Sequence, residues 1–178
     1  MSITITEALA EIKTIGKRID KKQDFIFGSL ARQEGARDPL EKEGGAEVVL
    51  SRERQAINDL QTRIVSLRRG IQRANDATIV HIGEQSRSIS DWLIWKRDVA
   101  PKRKDFLSKM STGLKNMREQ AKRQGQNVVA AGAAQQFTDI VVNIDEVALA
   151  AEIETLEKTL GDLDGQLSLK NATVAIVE

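Results

Sequence analysis

The sequence predicts a mainly α fold: about four long helices, paired as antiparallel coiled-coil-like hairpins, with a small β-hairpin or ribbon element. Three observations predict it. Apolar residues recur at alternating spacings of three and four over two long stretches, as they do on a helix that packs along a partner. Aromatic residues make up 3% of the chain and charged residues 30%, which favours aliphatic contacts between helices. Short runs rich in β-branched residues lie between the helical stretches and suit strands.

The strongest helical signals are two rows of apolar residues, which we call seams because each is expected to contact a partner helix along its length. The first seam contains Ile57, Leu60, Ile64, Leu67, Ile71, Ala74 and Thr78. The second seam contains Leu149, Ile153, Leu156, Leu160, Leu163 and Leu167. A heptad spacing keeps one stripe facing a partner only when the helices wrap around each other. Each seam therefore predicts one helix of a hairpin.

The first helix is expected to begin at Thr4, because Thr4 and Glu7 have the spacing of a capping box. Its predicted seam is interrupted by Gly16 and Gln23 and otherwise contains Ile5, Leu9, Ile12, Ile19, Ile26 and Leu30. Glycines and a proline in the segment 34–45 indicate a reversal loop. We therefore expect residues 5–76 to form the first helix pair.

The third helix is expected to begin after Ser88, which has Asp91 three residues later as a capping partner. Its apolar stripe is broad, which is typical of a helix that touches more than one neighbour. The stripe contains Ile89, Trp92, Leu93, Val99, Ala100, Phe106, Leu107, Met110, Leu114 and Met117. Pro101 lies inside it and predicts a kink or break near residues 97–101, because proline cannot donate a backbone hydrogen bond. With the second seam it forms the predicted pair 88–171.

The β-like segments 77–83 and 137–144 are rich in β-branched residues, and we expect them to pair with each other at one end of the bundle. Between them, residues 128–134 are small and apolar. A chain of 178 residues is the size of one ordinary domain. We therefore treat residues 1–178 as a single elongated helical domain.

The two seams end in similar sequences. RGIQRANDATI at residues 69–79 resembles GQLSLKNATV at residues 165–174, with one residue of slippage. One explanation is that Asn is common at helix ends because it tolerates the left-handed conformation. The other is a duplicated helix pair, and the sequence alone leaves both open.

Charge is distributed unevenly, although the formal net charge is only +1. Residues 60–125 carry 15 basic and 6 acidic side chains, whereas residues 126–178 carry 2 and 9. We expect a basic helix to lie beside an acidic one, within the fold or across a subunit contact. Binding of nucleic acid through the basic segment 96–123 is possible but not favoured, because its charges spread around the helix.

Two of the six aromatic residues, Trp92 and Trp95, lie three residues apart on one helical face. They are followed by a basic run of Lys96, Arg97, Lys102, Arg103 and Lys104. Three interpretations are open for the tryptophans: core residues beneath the β element, an energetic centre for a partner, or anchors at a membrane surface. We take these seven residues as the candidate interaction residues.

The sequence offers no reaction centre. It contains no cysteine and one histidine, His81, and it lacks the phosphate-loop, dinucleotide, hydrolase-elbow and zinc-protease motifs. We therefore predict no catalytic, cofactor-binding or metal-binding residues and a non-enzymatic protein. No apolar run reaches the length of a membrane-spanning helix, and no signal peptide is evident.

Four stretches together resemble the septicolysin-like family of small bacterial proteins. They are EALAEIKTIGKRID, RIVSLRRGIQRANDATIV, SISDWLIWKRD and IDEVALAAEIETLEKTLGDLDGQLSLKNAT. The resemblance spans most of the chain and implies a coiled-coil helical fold. The family name suggests a toxin, but the resemblance carries over no functional residues. The Ala/Gly-rich residues 128–134 and the two tryptophans depart from the family.

Strong seams without a reaction centre favour an architectural role. We expect a structural or assembly protein that forms a homo-oligomer or docks onto other structural proteins, with a bacteriophage virion as its setting. The expected location is accordingly the cytoplasm or the virion. The alternatives are a nucleic-acid-associated protein and a membrane-active septicolysin-like protein.

Overall fold

The helices expected from the heptad patterns are present in the computed structural model, which describes residues 2–130 and 139–177. The helices are α1 (Ile5–Gly28), α2 (Ala46–Ala77), α3 (Ile89–Ile94), α4 (Ala100–Arg123) and α5 (Glu146–Thr173). The strands are β1 (Ile3–Thr4), β2 (Ile79–Ile82), β3 (Gln85–Ser88), β4 (Val128–Ala130), β5 (Ile140–Val142) and β6 (Ala175–Ile176). The predicted mainly α fold with a small β-hairpin is confirmed.

Contacts within the chain divide it into two compact units. The first consists of residues Met1–Thr78 and Ser168–Glu178, and the second of residues Ile79–Leu167. The first unit thus contains α1, α2, β1 and β6, whereas the second contains β2, β3, α3, α4, β4, β5 and α5 as far as Leu167. The single elongated domain expected over residues 1–178 stays a prediction.

Helix α1 begins with the expected capping box. The Thr4 backbone N–H donates to Oε2 of Glu7 at 2.7 Å, and the Glu7 backbone N–H donates to Oγ1 of Thr4 at 3.2 Å. The bond from the Thr4 backbone, followed by that from its hydroxyl, holds the pKa of Glu7 below its usual 4.5. These bonds satisfy donors that have no partner inside the helix.

The predicted seam of α1 is partly wrong, because at two turns the buried residue precedes the predicted one: Ala8 in place of Leu9, and Ile15 in place of Gly16. Leu9 and Leu30 are exposed, whereas Ala8 and Ile15 are buried. The face turned to α2 contains Ile5, Ala8, Ile12, Ile15, Ile19, Lys22 and Ile26. Burial of Ile15 removes more apolar area from water than burial of the neighbouring Gly16, so the helix turns that edge inward. The gaps expected at Gly16 and Gln23 therefore do not exist.

Helix α2 packs its seam against this face of α1. Leu67 and Ile71 are buried, and Leu60, Ile64 and Ala74 are partly buried against the same cluster. Ile57 is also buried. The cluster is completed by Ile5, Ala8, Ile15 and Ile176. The strand β6, paired antiparallel with β1, thus closes the core of the first unit.

The expected pairing of residues 77–83 with 137–144 is wrong. Strand β2 instead pairs antiparallel with β3, so that Ile82 is opposite Gln85 across a two-residue turn. Gly83 supplies the positive φ, 56°, that such a tight turn needs. A neighbouring partner costs less loop entropy than a distant one. The segment Ile140–Val142 pairs in parallel with β4, and residues 131–138, including parts of the 128–134 and 137–144 segments, lie outside the described residues.

The second unit has two apolar clusters. One contains Val80, Ile82, Ile89, Trp92, Leu163 and Leu167, and the other contains Ala100, Leu107, Leu149 and Leu156. Ile153 and Leu160 are partly buried against the second cluster. The α5 seam therefore lines the unit along its length.

A π-helical segment, Trp95–Val99, joins α3 to α4. The backbone N–H of Ala100 donates to the carbonyl of Trp95, five residues earlier. Pro101 lies in the first turn of α4, a position where its missing N–H costs little. The interruption expected near residues 97–101 therefore takes the form of a π segment.

Five buried core positions of the first unit have buried apolar equivalents in the second. Thr4 and Ser88 are equivalent as side-chain caps, and each precedes a buried isoleucine. Equivalent buried pairs are Ile5 and Ile89, Ala8 and Trp92, Leu67 and Leu163, Ile71 and Leu167, and Ile176 and Val80. One residue more separates Trp92 from Ala100 than separates Ala8 from Ile15, so the π segment is a one-residue insertion.

This equivalence decides between the two explanations of the similar helix ends. Among the described residues, only glycines have a positive φ, so Asn75 and Asn171 are not left-handed helix caps. A preference for Asn at helix ends would also not reproduce these five buried pairs. We therefore interpret the chain as an internal duplication of a helix pair with flanking strands.

Gly70→Ala should disturb the first unit. A Cβ at this position would lie 3.2 Å from Cδ1 of Ile176 and 3.4 Å from the carbonyl oxygen of Val177, closer than ordinary packing allows. Gly16→Ala is the matched control, because its Cβ would meet nothing within 4 Å and should stabilise α1 by about 0.5–1 kcal/mol. Urea unfolding should show Gly70→Ala to be less favourable than the control by about 1–3 kcal/mol. Equal effects would show that β6 does not press on α2.

Glu7→Gln should reveal the capping carboxylate through pH. Because folding lowers the pKa of Glu7 from 4.5, its charge stabilises the fold above that pH, and this contribution is lost as the pH falls through the lowered value. The wild type should therefore be more stable than Glu7→Gln at neutral pH, and the difference should shrink in acid. Melting temperatures measured from about pH 7 to about pH 2.5 test this. A difference that stays constant over this range contradicts it.

Candidate interaction surface

Trp92 lies in the core of the second unit. Its side chain is fully buried among Val80, Ile82 and Ile89. The indole Nε1–H donates to the carbonyl of Val80 at 3.0 Å, which satisfies the ring's one polar group. Trp92 therefore lies against the β2–β3 hairpin, the first of the three positions that the sequence left open.

Trp95 is half-buried beside Trp92. The two rings meet edge to face, with centroids 5.5 Å apart. The guanidinium of Arg87 lies 5.0 Å from the centroid of the Trp92 ring, a distance at which a cation is attracted to the ring face. The pair thus joins the hairpin, α3 and the π segment, and only Trp95 retains contact with solvent.

The basic residues mostly face acidic partners on α5. Arg103 pairs with Glu152 at 2.6 Å and Lys104 with Glu157 at 3.2 Å. Lys96 pairs with Asp164, and Arg118 near the end of α4 pairs with Glu146. The order of the partners is that of antiparallel helices. A basic helix thus lies beside an acidic one within the second unit, although exposed pairs of this kind contribute little individually.

Arg97 and Lys102 have different surroundings from the other basic candidates. Arg97 pairs with its neighbour Asp98 at 2.8 Å, and the hydrogen bond and charge of Arg97 lower the pKa of Asp98. Lys102 makes no ion pair within residues 2–130 and 139–177. The seven candidates are therefore not one surface: one is core, four form ion pairs, and Trp95 and Lys102 remain in part available.

An apolar surface lies on α4 beside the face that contacts α5. We call it the α4 stripe and define it as Val99, Phe106 and Met117, because Met110 is partly buried against the α5 cluster. Their spacing places them along one face of the helix. Val99 is 47% exposed and Phe106 is 60% exposed, although Leu107, the residue after Phe106, is buried against α5. The broad stripe expected from the sequence therefore has a covered half and an uncovered half.

The α4 stripe has a signal in the sequence that the seven candidate interaction residues do not reflect. Phe106 and Leu107 are adjacent apolar residues, and a single partner helix cannot cover two positions about 100° apart. Clustering of aromatic and basic residues favoured Trp92 as an interaction residue, but Trp92 is fully buried. Exposure of a large aromatic side chain was the better criterion.

The described residues contain no group of three or more His, Cys, Asp or Glu side chains placed to hold a metal ion. His81 is exposed, and its Nδ1 lies 2.6 Å from Oγ of Ser86 across the β2–β3 pair. None of the helices in the described part of the chain is long and apolar enough to cross a membrane.

Comparisons with known proteins add evidence on the fold alone. No family model and no curated protein matches the chain. A solved structure described as "a functionally unknown conserved protein from Corynebacterium diphtheriae" is similar, with a TM-score of 0.52 and 19% sequence identity. The match covers 99% of this chain and 100% of that chain. The likeness therefore extends over both units.

Trp92→Phe should destabilise the protein more than Trp95→Phe. The first change removes buried volume and the donor to the Val80 carbonyl, at a combined cost of about 2 kcal/mol. The second affects a half-buried ring and should cost about 1 kcal/mol or less. Urea unfolding followed by circular dichroism measures both. Equal costs would contradict a core position for Trp92.

Proposed function

We propose that this protein is a non-enzymatic structural protein that associates with copies of itself through the α4 stripe, within a larger assembly. The observation that carries the proposal is the exposure of Val99 and Phe106 along one helix face. Large apolar side chains aligned at helical spacing lose contact with water when a second helix covers them. Aromatic residues are also enriched among those that dominate binding energy.

The ion pairs of the second unit support this assignment. Arg103 and Lys104 beside the stripe are matched by Glu152 and Glu157 on α5. Local neutralisation reduces the repulsion that two copies would otherwise feel on approach. The apolar side chains can then determine the contact.

We further propose a bacteriophage virion as the setting. Helix α2 has 32 residues and α5 has 28, which correspond to lengths of about 40–50 Å at ~1.5 Å per residue. Helical hairpins of such length offer extended sides for contacts between repeated copies, as a virion requires. The membrane-active role suggested by the septicolysin-like resemblance and a role in nucleic-acid binding are competing outcomes of the experiment below.

Phe106→Ser should reduce self-association. Light scattering after size exclusion should give the wild type a mass above that of one chain, and this mass should fall in the variant because the stripe loses its largest side chain. Phe27→Ser is the matched control, since Phe27 is 67% exposed on α1 and lies outside the stripe. It should leave the mass unchanged.

A wild-type monomer at every concentration would overturn the proposal. Loss of association in the Phe27→Ser control instead would place the contact on α1. Retention on DNA that falls steeply with added salt would favour nucleic-acid binding, and leakage from liposomes would favour the membrane-active role. Equal circular dichroism of the three proteins would exclude unfolding as the cause.

A further inference from the structure

An ion pair occupies one layer of the helix seam in the first unit. Nζ of Lys22 lies 2.5 Å from Oε2 of Glu53, and the two side chains are 31% and 20% exposed. Lys22 lies between Ile19 and Ile26 on the face of α1 that meets α2. Glu53 precedes Ile57 on the seam of α2. The pair thus stands where apolar residues would continue the seam.

The equivalent layer of the second unit is apolar. Leu107 follows Ala100 by the same number of residues as Lys22 follows Ile15. Leu149 precedes Leu163 as Glu53 precedes Leu67. Leu107 and Leu149 are buried in one cluster. The two units therefore have matching seams on their second helices and differ in the chemistry of this layer.

The matching seams create a problem of pairing. The second helices, α2 and α5, have leucine or isoleucine at five matching seam positions: Ile57 and Ile153, Leu60 and Leu156, Ile64 and Leu160, Leu67 and Leu163, and Ile71 and Leu167. The first helices, α1 and α4, are less alike. By spacing alone, α1 could pair with α5, or α4 with α2, within one chain or between two chains. Because α2 and α5 have nearly the same apolar seam, exchange would give either first helix a similar row of apolar contacts. The apolar seam alone therefore discriminates weakly between correct and exchanged pairs.

The ionic layer makes the exchanged pairs unfavourable. In a pair of α1 with α5, Lys22 would face Leu149, and in a pair of α4 with α2, Glu53 would face Leu107. Each arrangement would place a charge against an apolar side chain without its partner, which costs far more than a mismatch between apolar side chains. Only α1 with α2 and α4 with α5 leave no unpaired charge in this layer.

We propose that the Lys22–Glu53 ion pair is a pairing-specificity device: it directs α1 to α2 and prevents exchange of helices between the two hairpins and between copies of the chain. Polar residues at single seam positions select register and partner in coiled coils at some cost in stability. The ion pair is independent of the proposed self-association, because Lys22 and Glu53 lie on α1 and α2, whereas the α4 stripe lies in the second unit.

The test replaces the ionic layer by the apolar one that the second unit already contains. Lys22→Leu with Glu53→Leu should leave the urea midpoint unchanged or higher, since a well-packed apolar pair matches or exceeds a partly buried ion pair in stability. Lys22→Glu with Glu53→Lys is the control that keeps an ion pair in reversed order. Both are made with Phe106→Ser, which reduces the proposed association through the α4 stripe.

Introduced cysteines report the pairing directly, because the chain has none of its own. Arg63 pairs with Glu11 across α1 and α2 at 2.8 Å, and the residue equivalent to Arg63 on α5 is Thr159. Glu11→Cys with Arg63→Cys reports the correct pair, and Glu11→Cys with Thr159→Cys reports the exchanged one. Each pair is treated with a short bismaleimide after refolding from urea, and denaturing gels separate links within a chain from links between chains.

The exchanged-pair link should increase about tenfold or more when the layer is apolar, and it should stay at the wild-type level in the charge-reversed control. Equal yields in the apolar and wild-type backgrounds would overturn the proposal, whatever the mass of the Phe106 variants. A rise in the charge-reversed control would also overturn it, because that variant retains the pair. If the apolar variant does not fold, the single change Glu53→Leu in the same reporters tests whether loss of the pair increases exchange.

Discussion

The contact on which the remaining structure depends is the seam between paired helices. A helix of 24 to 32 residues with one apolar face has little stability alone, because most helical stability in proteins comes from covering that face. Leu67 in α2 and Leu163 in α5 are fully buried at equivalent points of the two seams. The caps, turns and strands position the helices, but the seams supply the apolar burial.

The short strands complete the cores that the seams begin. Ile176 in β6 and Val80 in β2 are almost fully buried, each against a helix pair. Gly70 shows how closely β6 approaches α2, since a single added carbon would lie 3.2 Å from Ile176. Strand β2 begins directly after α2 ends, and β6 begins directly after α5 ends. Each core is thus completed by a strand that follows one of the two seam helices in the chain. Duplication preserved this relation together with the seam.

The sequence predicted those features whose signal is periodic and local. The α2 and α5 helices and the Thr4 capping box depend on spacing alone, and spacing is visible in the sequence. The register of α1 was mispredicted because Ile12, Ile19 and Ile26 fit two registers, and only packing decides between Leu9 and Ala8. The partner of β2 was mispredicted because the polar strand Gln85–Ser88 has little β signal, whereas Gly83 determines the turn. The adjacent Phe106 and Leu107 indicate that one of the two is exposed. Which one depends on the position of α5, and the sequence does not specify that position.

Comparison of the two units indicates which residues serve the fold and which serve another purpose. Equivalent buried positions such as Leu67 and Leu163 kept apolar residues, whereas the residue equivalent to the exposed Phe106 is Lys21 on α1. A requirement of the fold would apply to both units, and solubility would favour lysine at both positions. A phenylalanine at this exposed position in the second unit alone supports the proposed contact through the α4 stripe. The ionic layer at Lys22 and Glu53 is the converse case, in which the first unit gave up apolar burial that the second retains. Phe106 on the surface of the second unit and the ionic layer in the seam of the first are thus two differences between the units, and each supports one of the two proposals on the choice of partner.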